Sequence, residues 1–143
     1  MLFKLPAAWL MGVKVSMINN SNCICTIKYS WINQNPFKSI FWAAQGMAAE
    51  FATGVLLMRE IELSNKNISM LLVDVEAKFT KKAVGKISFK CNKGLMIKEK
   101  VSSLNSQKTK STIWIDSIGV DESGQEVSKF KFNWSILLKK PIN

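Results

Sequence analysis

The hydrophobic positions of this chain follow two different periods. From Val13 to Ile18 and again from Cys23 to Tyr29, apolar and polar residues alternate, as in a strand with one face covered. Asn19-Asn20-Ser21-Asn22 between them is a turn cluster, so the two runs predict a hairpin. A third run, Ile68 to Thr80, sets Val73, Val75, Ala77 and Phe79 against Asp74, Glu76, Lys78 and Thr80. Ala83 to Cys91, Thr109 to Val120 and Val127 to Leu138 bring the predicted strands to six, the last two joined by a hairpin loop over 121–126. In the final run Phe130, Phe132, Trp134, Ile136 and Leu138 face one way, and Lys129, Lys131, Asn133 and Ser135 the other. Leu5 to Met11 predicts a short amphipathic helix, and 95–104 a short helix or an irregular link.

One stretch breaks the alternation. Ser39 to Met58 carries a single charged side chain, Glu50, and is apolar all round. The spacing predicts a helix over 38–60, begun by the Asn35-Pro36 pair or by Ser39 as a cap. At 1.5 Å per residue it would run roughly 34 Å. Such a helix either spans a bilayer or is wrapped by the rest of the chain. Glu50 at mid-span would cost about 2.5–3.5 kcal/mol in a membrane, and half-buried strands flank the segment. Wrapping, with no membrane span, is the expectation. Six one-faced antiparallel strands need an apolar cover and so does the helix. The two needs meet in one domain, 1–143, of the α+β class: a six-stranded curved antiparallel sheet around one long central helix.

Composition then narrows the chemistry. A chain of 143 residues has the length of one domain. Its net charge of +10 comes almost wholly from lysine. Lysines interleave with apolar residues, as in Lys129-Phe130-Lys131-Phe132, which reads as solvated strand faces or as a surface for something anionic. With one arginine and no basic stripe on a helix, nucleic acid is not an expected partner. The absence of histidine excludes triads with a histidine base and histidine metal sites. Cys23, Cys25 and Cys91 are odd in number and too few to hold a metal alone. They are expected to be buried and reduced, as in a cytoplasmic protein, and no metal is expected.

Glu50 is the one residue that demands a chemical account. A carboxylate on an apolar helix is costly to bury unless paired or protonated. At helical spacing it stands beside Gly46, Met47, Thr53 and Gly54, where the glycines leave room for a ligand or a second chain. Desolvation there would raise its pKa, which suits a general base acting on water.

The element order resembles the hotdog fold, in which a curved sheet wraps a central helix. PaaI-like thioesterases of that superfamily carry an Asn, then a His-Gly-Gly segment, then an acid and a Gly on the helix. Asn35, Glu50 and Gly54 keep that spacing, while Phe41-Trp42-Ala43 stand where His-Gly-Gly would be. Phe79-x-x-x-Ala83-x-Gly85 looks like the family's turn between its third and fourth strands. Within the superfamily, Asn35-Pro36-Phe37-Lys38-Ser39 followed by Ala49-Glu50 resembles an uncharacterised thioesterase-like family, a domain of unknown function.

This resemblance implies hydrolysis of an acyl-CoA thioester. Glu50 would act as base or nucleophile, and the backbone N–H of Ala43 would hold the oxyanion at the helix N-terminus. Asn35 would position water or substrate; as a turn or cap residue it needs no active site. Trp42, Gly46, Thr53 and Gly54 would line the substrate pocket, with Gln45 and Thr53 as polar helpers. Lys81 and Lys82 would meet the phosphates of coenzyme A, which is part of the substrate and not a cofactor, or else form an ordinary solvated turn. The resemblance also implies a homodimer or dimer of dimers with the site between protomers. The missing His-Gly-Gly keeps a second reading open, a non-catalytic hotdog protein that binds acyl groups or a partner protein. A hydratase of this fold would need a histidine that the chain lacks.

Overall fold

All six alternating runs pair into one antiparallel sheet. The computed structural model describes residues 5–139. Helix α1 (Pro6–Leu10) leads into strands β1 (Lys14–Ile18) and β2 (Cys23–Lys28), and a 3-10 turn (Trp31–Asn33) precedes helix α2 (Trp42–Leu63). Strands β3 (Ile68–Phe79) and β4 (Lys86–Cys91), helix α3 (Gly94–Ser102), and strands β5 (Lys110–Val120) and β6 (Glu126–Leu138) follow. The sheet order is β1-β2-β4-β5-β6-β3, the arrangement of a hotdog fold.

The inward positions read from the alternation form the core. Ile87, Phe89 and Cys91 of β4 and Phe130, Phe132, Trp134 and Ile136 of β6 are all buried. Ala44, Ala48 and Ala52 recur one turn apart on α2 and are buried as well, so the helix can lie close to the sheet. Phe130 stacks on Phe132 with centroids 5.9 Å apart and meets Phe89 edge-on at 6.0 Å. Cys23 and Cys91 face each other across β2 and β4, buried and unbridged like Cys25. Burial pushes the Cys91 thiol up to about 11.

Four expectations are corrected. The long helix runs Trp42–Leu63 rather than 38–60. Lys38 adopts a left-handed φ of 58°, which no helix interior accepts. Asn35 closes its own loop instead of capping: its Oδ1 accepts from the N–H groups of Phe37 (2.9 Å) and Ser39 (3.3 Å). Second, α2 is not covered on every side, because Trp42, Met58 and Leu63 are exposed and Met47, Phe51 and Val55 half-buried. Third, Val73 does not continue the face of Val75, Ala77 and Phe79. It is the extra residue of a bulge between Leu72 and Asp74. Fourth, the inner face of β3 is not fully covered: Val75 is 48% and Phe79 47% exposed. The helix lies over β2, β4 and β5, less over β6, and β3 is left at the open edge.

The link at 95–104 is a helix. Its first residue must be Gly94, since a Cβ there would collide with the carbonyl oxygen of Asn20 in the β1–β2 turn. At its other end the Lys66 ammonium donates to the carbonyls of Val101 (3.2 Å), Ser102 (3.0 Å) and Leu104 (2.8 Å). Among the described residues no helix is long and apolar enough to cross a membrane.

Candidate active site

Glu50 is half-buried in the third turn of α2. Its carboxylate has no hydrogen-bond or ion-pair partner among the described residues, and desolvation pushes its pKa above the ordinary value of 4.5. Gly54, one turn on, makes the space it occupies. A Cβ on Gly54 would stand 3.2 Å from Glu50 Oε1 and 3.3 Å from Cζ2 of Trp134. Gly46, one turn before, leaves a gap in which a Cβ would only touch Phe130, at 3.5 Å. Thr53 is wholly buried. Its Oγ1 accepts from the Trp134 indole N–H (3.2 Å), and its hydroxyl donates to the Glu50 carbonyl (2.9 Å). That pair of bonds fixes the backbone turn that carries Glu50.

Asn35, Trp42, Lys81 and Lys82 gather elsewhere, with Ser39 and Gln45, around an open groove of about 430 Å³ that Glu50 does not line. Most polar atoms of this cluster are already engaged. Asn35 Nδ2 donates to Ser39 Oγ (3.0 Å). Gln45 is a strut, donating to the Ile40 carbonyl (3.0 Å) and accepting from the Ser128 hydroxyl (2.9 Å). Lys81 donates to Asp121 (2.7 Å) and to Gln125 Oε1 (2.6 Å) in the β5–β6 turn. Hydrogen bonds from Lys81 and Ser123 hold the Asp121 carboxyl well below the usual carboxylate range. Lys82 makes one long contact, 3.5 Å to the Phe37 carbonyl.

Ala43 lies in the first turn of α2, where N–H groups lack acceptors in the preceding backbone. It shares a face with Gly46, Glu50 and Gly54, but seven residues separate it from Glu50, about 10 Å along the axis. The two groups therefore stand about two helical turns apart in one chain. Trp134 is the site neighbour that alternation identified only as core. Its role in holding Thr53 depends on which strand lies under the helix, and the local pattern does not carry that.

Solved structures share this architecture. A protein of unknown function from Chlorobaculum tepidum, OLEI01261, superposes with a TM-score of 0.82 at 16% identity, covering 96% of this chain and 89% of that one. PA5026 from Pseudomonas aeruginosa, described as a probable thioesterase, gives 0.79 at 15% identity, covering 96% and 92%. The thioesterase HI1161 from Haemophilus influenzae gives 0.67 at 10% identity, covering 92% and 82%. Likeness at such identity establishes the fold alone. None of the curated proteins matches the chain. The sequence profile of the family described as "Domain of unknown function (DUF4442)" matches residues 1–136. With that match across nearly the whole chain, this protein belongs to the DUF4442 family, and its fold is the hotdog fold of the solved structures above.

Proposed function

We propose that the protein is an acyl-CoA thioesterase whose base or nucleophile is Glu50. The observation that carries the reading is the unpaired, desolvated carboxylate of Glu50 beside the gap at Gly46 and Gly54. As base, Glu50 takes a proton from water, and the resulting hydroxide adds to the thioester carbonyl. A helix N-terminal N–H holds the oxyanion, which then collapses, breaking the C–S bond. The coenzyme A thiolate leaves and takes up the proton from Glu50. The offset of about two turns between Ala43 and Glu50 on the helix supports a site completed by the N–H of the partner subunit's Ala43, in a homodimer or dimer of dimers. Trp42 and Gly46 would border the acyl group, and Lys82, with its ammonium nearly free, is better placed than Lys81 for the phosphates of coenzyme A. The buried reduced thiols fit a reducing, cytoplasmic setting.

A panel of acyl-CoA esters scored for free thiol tests this. Glu50→Gln keeps shape and hydrogen-bonding capacity and should lower hydrolysis at least about 10²-fold. Equal rates for wild type and Glu50→Gln would sink the assignment. The inward-turned hydrogen bonds of Asn35 and Gln45 favour a second reading, a non-catalytic module that binds acyl groups or a partner protein. It predicts acyl-CoA binding without thiol release for every ester in the panel.

A further inference from the structure

The first 49 residues contain no Asp or Glu; all ten acidic residues begin at Glu50. What these residues build is an end of the molecule that is cationic and aromatic. The Asn33 amide clamps it, donating to the carbonyls of Met11 (3.1 Å) and Lys28 (2.9 Å) and so tying the end of α1, the end of β2 and the 3-10 turn together. From this corner large apolar side chains stand in water: Trp31 is 83% exposed, Leu10 53% and Trp9 52%. Beside them Lys14, Lys28 and Lys86 rim a shallow groove of about 350 Å³ with Tyr29 and Ser30. Lys28 and Lys86 stand directly opposite in the β2–β4 register, a like-charged pair that weakens a sheet. None of the three ammonium groups is ion-paired among the described residues, although the Glu122 carboxylate accepts from the Lys86 backbone N–H at 3.4 Å.

Folding does not account for this combination. Exposed indoles add nothing to the core, and the opposed lysines repel each other. Both become favourable against a bilayer, where indole rings settle at headgroup level and ammonium groups meet lipid phosphates. We propose that this end docks the protein on an anionic lipid surface, Trp9, Leu10 and Trp31 entering the interface and Lys14, Lys28 and Lys86 meeting the phosphates. An acidic protein would engage the same lysines, and the peptide arm of the test below separates it from a lipid surface. The surface lies at the β1–β2 side of the sheet, at the opposite end of the strand order from β3. The inference is independent of catalysis.

The test is partition of the full chain onto phosphatidylglycerol-containing vesicles and onto pure phosphatidylcholine vesicles. Binding should be confined to the anionic vesicles and weaken with salt. Replacing Lys14, Lys28 and Lys86 by Gln should lower it by about 10²-fold, at about fivefold per lysine. Brominated lipid should quench the wild-type tryptophan emission, a reading that needs no variant, and Trp9→Ala with Trp31→Ala should abolish most of that quenching. A wild type that ignores anionic vesicles, or emission that brominated lipid leaves untouched, overturns the proposal. So does a poly-glutamate peptide that binds as tightly as the vesicles while Trp31→Ala leaves vesicle binding unchanged, which would mark a surface for an acidic protein.

Discussion

Glu50 illustrates how one side chain couples stability to activity. Its folded pKa lies above the ordinary value of 4.5, so the native state holds a proton that the unfolded chain has already released. The stability tied to that proton is complete below 4.5 and is lost as pH rises through the raised value. Glu50→Gln and wild type should therefore melt together in acid, and the variant should become the more stable one as pH rises. Activity should climb through the same raised pKa, because only the ionised form is a base; a rate flat from pH 4.5 upward would remove Glu50 from the chemistry. Ser117 gives a second test at this scale. Its hydroxyl is wholly buried and has no partner among the described residues. Ser117→Ala should leave stability level or raise it by up to about 1 kcal/mol. A clear loss in chemical denaturation would reveal a hydrogen bond to Ser117.

The elements hold one another through contacts outside their own sequence. Helix α3 is seated at both ends by other elements: its own first residue, Gly94, packs under the β1–β2 turn, and Lys66, in the loop after α2, holds its C-terminus. Gly94→Ala would drive a Cβ into the Asn20 carbonyl, a backbone atom unable to swing aside. It should cost at least about 2 kcal/mol by denaturant titration. Lys66→Met keeps the aliphatic stem but loses the three carbonyl contacts at the α3 C-terminus, and should cost about 1–2 kcal/mol. If Lys66→Met unfolds at the wild-type denaturant concentration, the ammonium is solvated and does not hold the helix end.

For the whole molecule the open side is β3. Leu71 is 65% exposed, the inner face of β3 is half-covered, and Phe51 and Val55 of α2 are half-buried. A second copy pairing along β3 would cover this surface and remove an exposed edge. Sedimentation at micromolar concentration should give twice the subunit mass of 16.1 kDa. Leu71→Asp with Val75→Asp changes only side chains that are exposed in one chain, so the subunit should remain folded but dissociate. If the site is shared, thioester hydrolysis should disappear with the dimer. Full activity in a dissociated variant would show that one chain suffices.

The sequence by itself determined the elements. One-sided burial imprints a period on β2, β4, β5 and β6, and the alternation of β1 and β3 marked them as strands although both are largely exposed. The six strands, the inward row of β6 and the apolar helix around Glu50 were therefore legible locally. Lone charge in an apolar run singled out Glu50 for the same reason. Tertiary structure alone decided where α2 begins, since Asn35 and Lys38 spend their conformations on closing a loop. It also decided that Lys81 is held by Asp121, that Thr53 is held by Trp134, and that Asn35 and Glu50 occupy separate places in one chain. Each of these depends on which strand ends and turns meet across dozens of residues, and a side chain's own neighbours in sequence exert no force that records such a meeting.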